Sequence, residues 1–173
     1  MATFVERVVR AAKLDVTVYE EVENDTTAMG QALGVVVLSS VAAGIGAGIG
    51  TGGGVRLLVF GTIASLLGWA FWAWITYFIG TRWLREPGTD ANWSQLARTI
   101  GFAQAPGLLR VLGIIPFLQG LVFLVTALWT LVAVVIAVRQ ALDFSSTPRA
   151  VAVCFIGWLV QVILTALVMA LAR

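Results

Sequence analysis

Apolar residues in this chain gather into long runs separated by short polar breaks, the spacing expected of helices that bury their whole length in lipid. Clear runs fall at roughly 28–49, 57–79, 116–138 and 150–172. At 1.5 Å per residue, a run of about 20 residues matches the ~30 Å hydrocarbon core. A weaker apolar phase, IGFAQAPGLLRVLGII, lies between the second and third clear runs. Its Arg110 costs about 2.5 to 3.5 kcal/mol at a helix centre, whereas each Leu, Ile, Val or Phe returns only about 0.3 to 0.6. Pro106 removes a helical hydrogen bond, which predicts a kink that turns Gln104 and Arg110 toward other helices, water or headgroups. Arg110 is expected to reach the outer headgroups by snorkelling, with a polar path as the alternative. The pattern predicts an all-α, polytopic transmembrane helical bundle with five spans, or four spans plus a re-entrant third segment.

Ahead of the first run, residues 1–16 alternate at the helical period. Phe4, Val5, Val8, Val9 and Ala12 share one side, and Glu6, Arg7, Arg10 and Lys13 the other. This predicts an amphipathic helix lying on the cytoplasmic leaflet, or packed on the protein's own loops. It is too polar to cross a bilayer and lacks the layout of a cleaved signal. An acidic stretch, YEEVENDTT, follows and ends in Asp25, Thr26 and Thr27, whose side-chain oxygens suit a helix start. Glu20, Glu21, Glu23 and Asp25 are expected to be solvated there. Residues 1–27 are therefore expected to be a cytoplasmic segment, and residues 28–173 the membrane domain.

Small residues mark the end of the first run. Ala42, Gly46 and Gly50 stand at a spacing that lets another helix approach closely. The following Gly52, Gly53 and Gly54 resemble a phosphate loop only superficially, because Val55, Arg56 and Leu57 replace the Lys and hydroxyl residue such a loop needs. A tight turn is the expectation. The second run ends in Trp69, Phe71, Trp72, Trp74, Tyr77 and Phe78, with Trp83 beyond, as in an interfacial aromatic belt, a ligand-stacking site being the alternative. Residues 80–99 are expected to be a polar loop broken by Pro87 and Gly88, and Thr147 with Pro148 should start the last helix.

Composition agrees with the pattern: 60% of the 173 residues are hydrophobic and 12% charged, with a mean hydropathy of +0.95. So small a globule in water would need far more polar surface. The chain has no His, one Cys (Cys154) and nine Asp plus Glu. No metal site or cofactor is expected, since haem and zinc lack their usual ligands. No enzyme is expected either: no nucleophile has a His partner and no carboxylate pair lies at membrane depth. The net charge of +2 comes from Arg at helix ends and does not imply nucleic-acid binding. Arg7, Arg10, Lys13, Arg82, Arg85, Arg98, Arg139 and Arg149 fall on one side of a five-span arrangement, against Arg56, Arg110 and Arg173 on the other. The four-span alternative divides them identically, so both place the N-terminus in the cytoplasm. Arg7, Arg10, Lys13, Arg139 and Arg149 are the candidate contacts at the cytoplasmic interface, with Asp143 as a local ion-pair partner for the last two.

Three stretches, YEEVENDTTAMGQA, GFAQAPGLLRVLGIIP and AVRQALDFSSTPRA, together resemble the bacterial branch of the Yip family, membrane proteins named for Ypt/Rab interaction in eukaryotes. The resemblance implies a five-helix fold and a cytoplasmic N-terminus. It links eukaryotic members to vesicle traffic, organelle shape and small Rab-type GTPases. The long soluble N-terminal extension of those members has no counterpart here, which points to the inner (plasma) membrane of a prokaryote. Two functions are expected to compete. One is a non-enzymatic scaffold that contacts the lipid bilayer and forms a homo-oligomer or joins other membrane proteins. The other is a permease, channel or lipid-moving protein with a polar path or lipid-headgroup contact at Gln104, Pro106 and Arg110.

Overall fold

The computed structural model describes residues 2–47 and 54–171, without the side chains of 57, 165, 167–169 and 171. Every regular element among them is helical. Helix α1 (Phe4–Ala12) and α2 (Val16–Asn24) precede a 3-10 turn, Thr26–Ala28, that leads into α3 (Met29–Gly46). Helix α4 (Gly54–Phe78) is prolonged by a π turn, Ile79–Trp83. Then come α5 (Trp93–Phe102), a 3-10 helix over Ala105–Ile114, α6 (Gln119–Ala141) and α7 (Thr147–Leu171). Among the described residues four stretches are long and apolar enough to cross a membrane: Thr26–Gly46, Gly54–Trp83, Gln119–Ala141 and Thr147–Leu164. This is a multi-pass membrane protein.

The acidic stretch is the first departure from expectation. It is not an open, solvated segment but helix α2, started by Asp15, whose side chain accepts from the Thr17 amide. The Arg7 side chain is only 4% exposed. Its Nε lies 2.9 Å from Glu21 Oε1 and its Nη2 2.8 Å from Asp25 Oδ2, while Nη1 donates to Gln31 Oε1 at 3.1 Å. Arg10 reaches Asp15 and Glu21. Of the carboxylates expected to be solvated, Glu21 and Asp25 are therefore partners of the N-terminal cations, Glu23 is buried and Glu20 is exposed. Tyr19 donates from its hydroxyl to Ala11 O and is fully buried between the two helices. Val5 and Val9 stay exposed on the outer side of α1, and Trp129 of α6 donates to Ala12 O at 2.8 Å.

The third segment begins earlier than its hydropathy suggests. Asn92 and Gln95 form a capping box that starts α5 inside the expected loop. The chain then runs alongside α3 in the same direction. A Cβ on Gly101 would meet Ala32, one on Gly107 would meet Ser39, and one on Gly113 would meet the Gly46 carbonyl oxygen at 3.0 Å. Helix α6 returns antiparallel: Gln119 Nε2 donates to Gly46 O at 3.0 Å, and Gln140 Nε2 donates to Glu20 Oε1 at 2.8 Å. Helix α7 packs back on α4 where Gly157 meets Trp72 and Ile75. The bundle thus has an N-terminal end, with α1, α2 and the loops before α5 and α7, and an opposite end, where α3 stops and α6 starts.

The densest core lies toward the N-terminal end, where Val18, Val22, Leu96, Ile100, Phe102 and Leu142 are fully buried. Arg98 is buried there and caps α2, donating to Val22 O at 2.9 Å and to Glu23 O. The loop after α4 is fastened to the loop before α7 by Arg149 and Glu86, 3.1 Å apart, and by the Ser145 amide donating to Glu86. Glu86, and not Asp143, is the ion-pair partner of Arg149. Arg139 bonds Phe144 O, Ser145 O and Thr147 Oγ1. Asp143 lies in the left-handed turn after α6, with φ 51°, so it serves the turn.

Candidate functional site

Between α3, α4, α7 and the third segment lies a cavity of about 590 Å³. Its position follows from side-chain size. Gly54, Leu58, Gly61, Ser65, Gly68 and Trp72 line it from α4, at the three-and-four spacing that defines one helical face. A Cβ on Gly61 or Gly68 would meet no other atom within 4 Å. Small residues here leave space, instead of admitting a neighbouring helix.

Its polar groups come mainly from the other walls: Ser39 and Ser40 of α3, Gln104 and Arg110 of the third segment, and Gln161 of α7. The third segment delivers two of them because of how it winds. A 3-10 helix repeats every three residues, so Gln104, Gly107 and Arg110 stack on one face, whereas α-helical winding would separate Gln104 from Arg110. Pro106, near the start of that helix, is buried and is not among the lining residues. The expected kink takes the form of a change from α to 3-10 winding.

Arg110 does not snorkel outward. A Cβ on Gly107 would lie 3.7 Å from Arg110 Nη1, so the guanidinium folds back one turn over that glycine toward Ser39. Its Nε donates to Thr126 Oγ1 at 3.4 Å. Among the described residues it has no ion-pair partner. Val36, Trp69 and Ile100 are buried apolar residues of the cavity's lining. Trp69 donates to Ala97 O at 3.0 Å, and a Cβ on Gly101 would lie 2.8 Å from that of Ala32. Gly61 and Ser65 are exposed, so the cavity is open at its side.

The other expected residues fall elsewhere. Ala42 and Gly46 are buried, and a Cβ on Gly46 would strike the Arg110 carbonyl, so this face is used within the chain. Gly50 lies outside the described residues. Arg7 and Arg10 join the α1–α2 network, and Lys13 is exposed at the end of α1. Of the aromatic group, Trp69 and Trp72 line the cavity. Phe71, Trp74, Phe78 and Trp83 form an exposed ladder with ring centroids 6.0 to 6.2 Å apart.

Sequence reasoning did not single out Ser39, Ser40, Ser65, Gly61, Gly107 or Gln161. The periodic small residues of α4 carried a signal, overshadowed by the aromatic residues beside them. Among the described residues no group of three or more His, Cys, Asp and Glu could hold a metal ion.

The fold and cavity are those of a multi-pass helical membrane protein. The Yip1 domain matches residues 18–169, and the chain belongs to the Yip1 family. No curated protein matches the chain, and no solved structure does.

Proposed function

We propose that this Yip1-family chain is a non-enzymatic membrane scaffold that crosses the bilayer five times from a cytoplasmic N-terminus and holds a membrane component in its cavity. The cavity's lining carries the reading. A conducting path needs polar groups from face to face, whereas buried apolar side chains, Val36, Trp69 and Ile100, form part of this lining. Their packing favours retention over passage.

Five crossings are supported by the threading of the third segment. A re-entrant segment would return the chain to the end where α4 finishes, yet α6 starts beside Gly46 at the far end of α3. The cation asymmetry of the sequence favours a cytoplasmic N-terminus. Exposed apolar side chains on α6 and α7, among them Leu121, Leu128, Phe155 and Ile163, offer lateral contact with lipid, a second copy or other membrane proteins.

The test is flux in proteoliposomes. Chloride and fluorescent-lipid movement should match that of protein-free vesicles; movement clearly above that level would contradict the scaffold reading and restore a transport path.

A further inference from the structure

We infer that the cavity binds the phosphate group of a membrane lipid, with Arg110 and Gln104 as its hydrogen-bond donors; this rests on the cavity's being a site of retention. A guanidinium is always cationic and carries five N–H donors. Arg110 donates one long bond, to Thr126 Oγ1 at 3.4 Å, and none of its other donors reaches a described residue. Each of the five ion pairs among the described residues uses Arg7, Arg10 or Arg149. An uncompensated cation at membrane depth is costly, and cations so placed mark ligand sites.

Geometry selects the anion. The guanidinium turns back over Gly107, and Gln104 stands one 3-10 turn farther along the same face. Gln104 donates no side-chain hydrogen bond to a described residue, and both side chains line the cavity. A planar guanidinium matches two oxygens of a phosphate at once, and an amide N–H can take a third.

The remaining walls select the carrier. Apolar walls, among them Val36, Leu58, Trp69, Trp72 and Ile100, stand beside the polar donors, the mixture that an amphiphile presents. A free phosphate ion would gain nothing from those walls. Gly61 and Ser65 are seven and eleven residues from the start of α4, which places the side opening ~10 to 16 Å along that helix, at acyl-chain depth. A lipid can therefore enter sideways, drawing its phosphate below the ordinary headgroup level.

The experiment uses the full chain in neutral detergent with three probes: dioleoylphosphatidylglycerol, dioleoylglycerol and sodium phosphate. Native mass measurement should show one phosphatidylglycerol retained, with thermal stabilisation, and no effect from the other two. Arg110→Gln should reduce retention at least tenfold, and Arg110→Lys should restore part of it. Gly61→Leu keeps Arg110 but fills the cavity, so it should also reduce retention. Equal retention by wild type and Arg110→Gln, retention unchanged in Gly61→Leu, or equal binding of dioleoylglycerol overturns the proposal. Stabilisation by sodium phosphate without lipid overturns the lipid source and assigns the site to a free ion. Loss of lipid binding in vesicles that remain tight to chloride would remove this inference while leaving the scaffold reading intact.

Discussion

Gly46 of α3 sits directly against the backbone carbonyl of Arg110, whose carbon would lie 2.8 Å from a Cβ placed on the glycine. This contact brings the 3-10 helix against α3 and sets the depth at which the Arg110 guanidinium enters the cavity. Gly46→Val should force the segments apart and destabilise the bundle by about 1 to 3 kcal/mol, the usual cost of overpacking. Gly61→Ala, which adds its methyl to open space, should change stability by no more than ~1 kcal/mol. Thermal unfolding in detergent compares the two; equal losses would contradict the assigned packing.

The N-terminal helix is held by Arg7, whose buried guanidinium joins Glu21, Asp25 and Gln31. Arg7→Ala should release α1 from α2 and markedly speed amide exchange across residues 4–12, leaving α6 protected. Exchange unchanged in α1 would show that Tyr19 and the apolar contacts suffice. The Thr27 hydroxyl and Arg7 hold Asp25 at about 2, well below the usual carboxylate range, so its contribution is present above pH 4 and fades as pH falls toward 2.

Glu23 behaves in the opposite sense. Burial, with repulsion from Asp143, raises its carboxyl to about 7, above its value in an unfolded chain. The folded state therefore binds the extra proton between about pH 4.5 and 7, and the stability linked to it is present at low pH and lost as pH rises through 7. Stability should fall from pH 5 to pH 8, and Glu23→Gln should flatten that slope. Melting curves at pH 5, 6, 7 and 8 check it; an unchanged slope in the variant assigns the dependence to another group.

These features divide into those a reader of the sequence can find and those only packing decides. The four long apolar helices were legible because hydropathy alone specifies them, and Thr147 starts α7 as expected. Helix α2 was not, because YEEVEN reads as solvated until Arg7 and Arg10 are known to face it. The start of α5 was written in Asn92 and Gln95, but a Pro-Gly loop just before them hid the capping box. The cavity was least visible. Gln104 and Arg110 were recognisable as polar residues out of place, but their shared face depends on 3-10 winding, and hydropathy does not distinguish that from an α-helix. The glycines of α4 indicate close packing or empty space equally well until neighbouring helices are placed.

The central claim is that the third segment crosses the membrane and leaves Arg110 at the end remote from the N-terminus. Phe117, 84% exposed between that segment and α6, reports it directly. In a Cys154→Ala background, Phe117→Cys and Lys13→Cys are each treated with an impermeant maleimide in sealed vesicles of known orientation. The two positions should label from opposite faces, Phe117→Cys from outside and Lys13→Cys from the cytoplasmic side. Labelling of both from the same face would make the segment re-entrant and contradict the five-crossing arrangement.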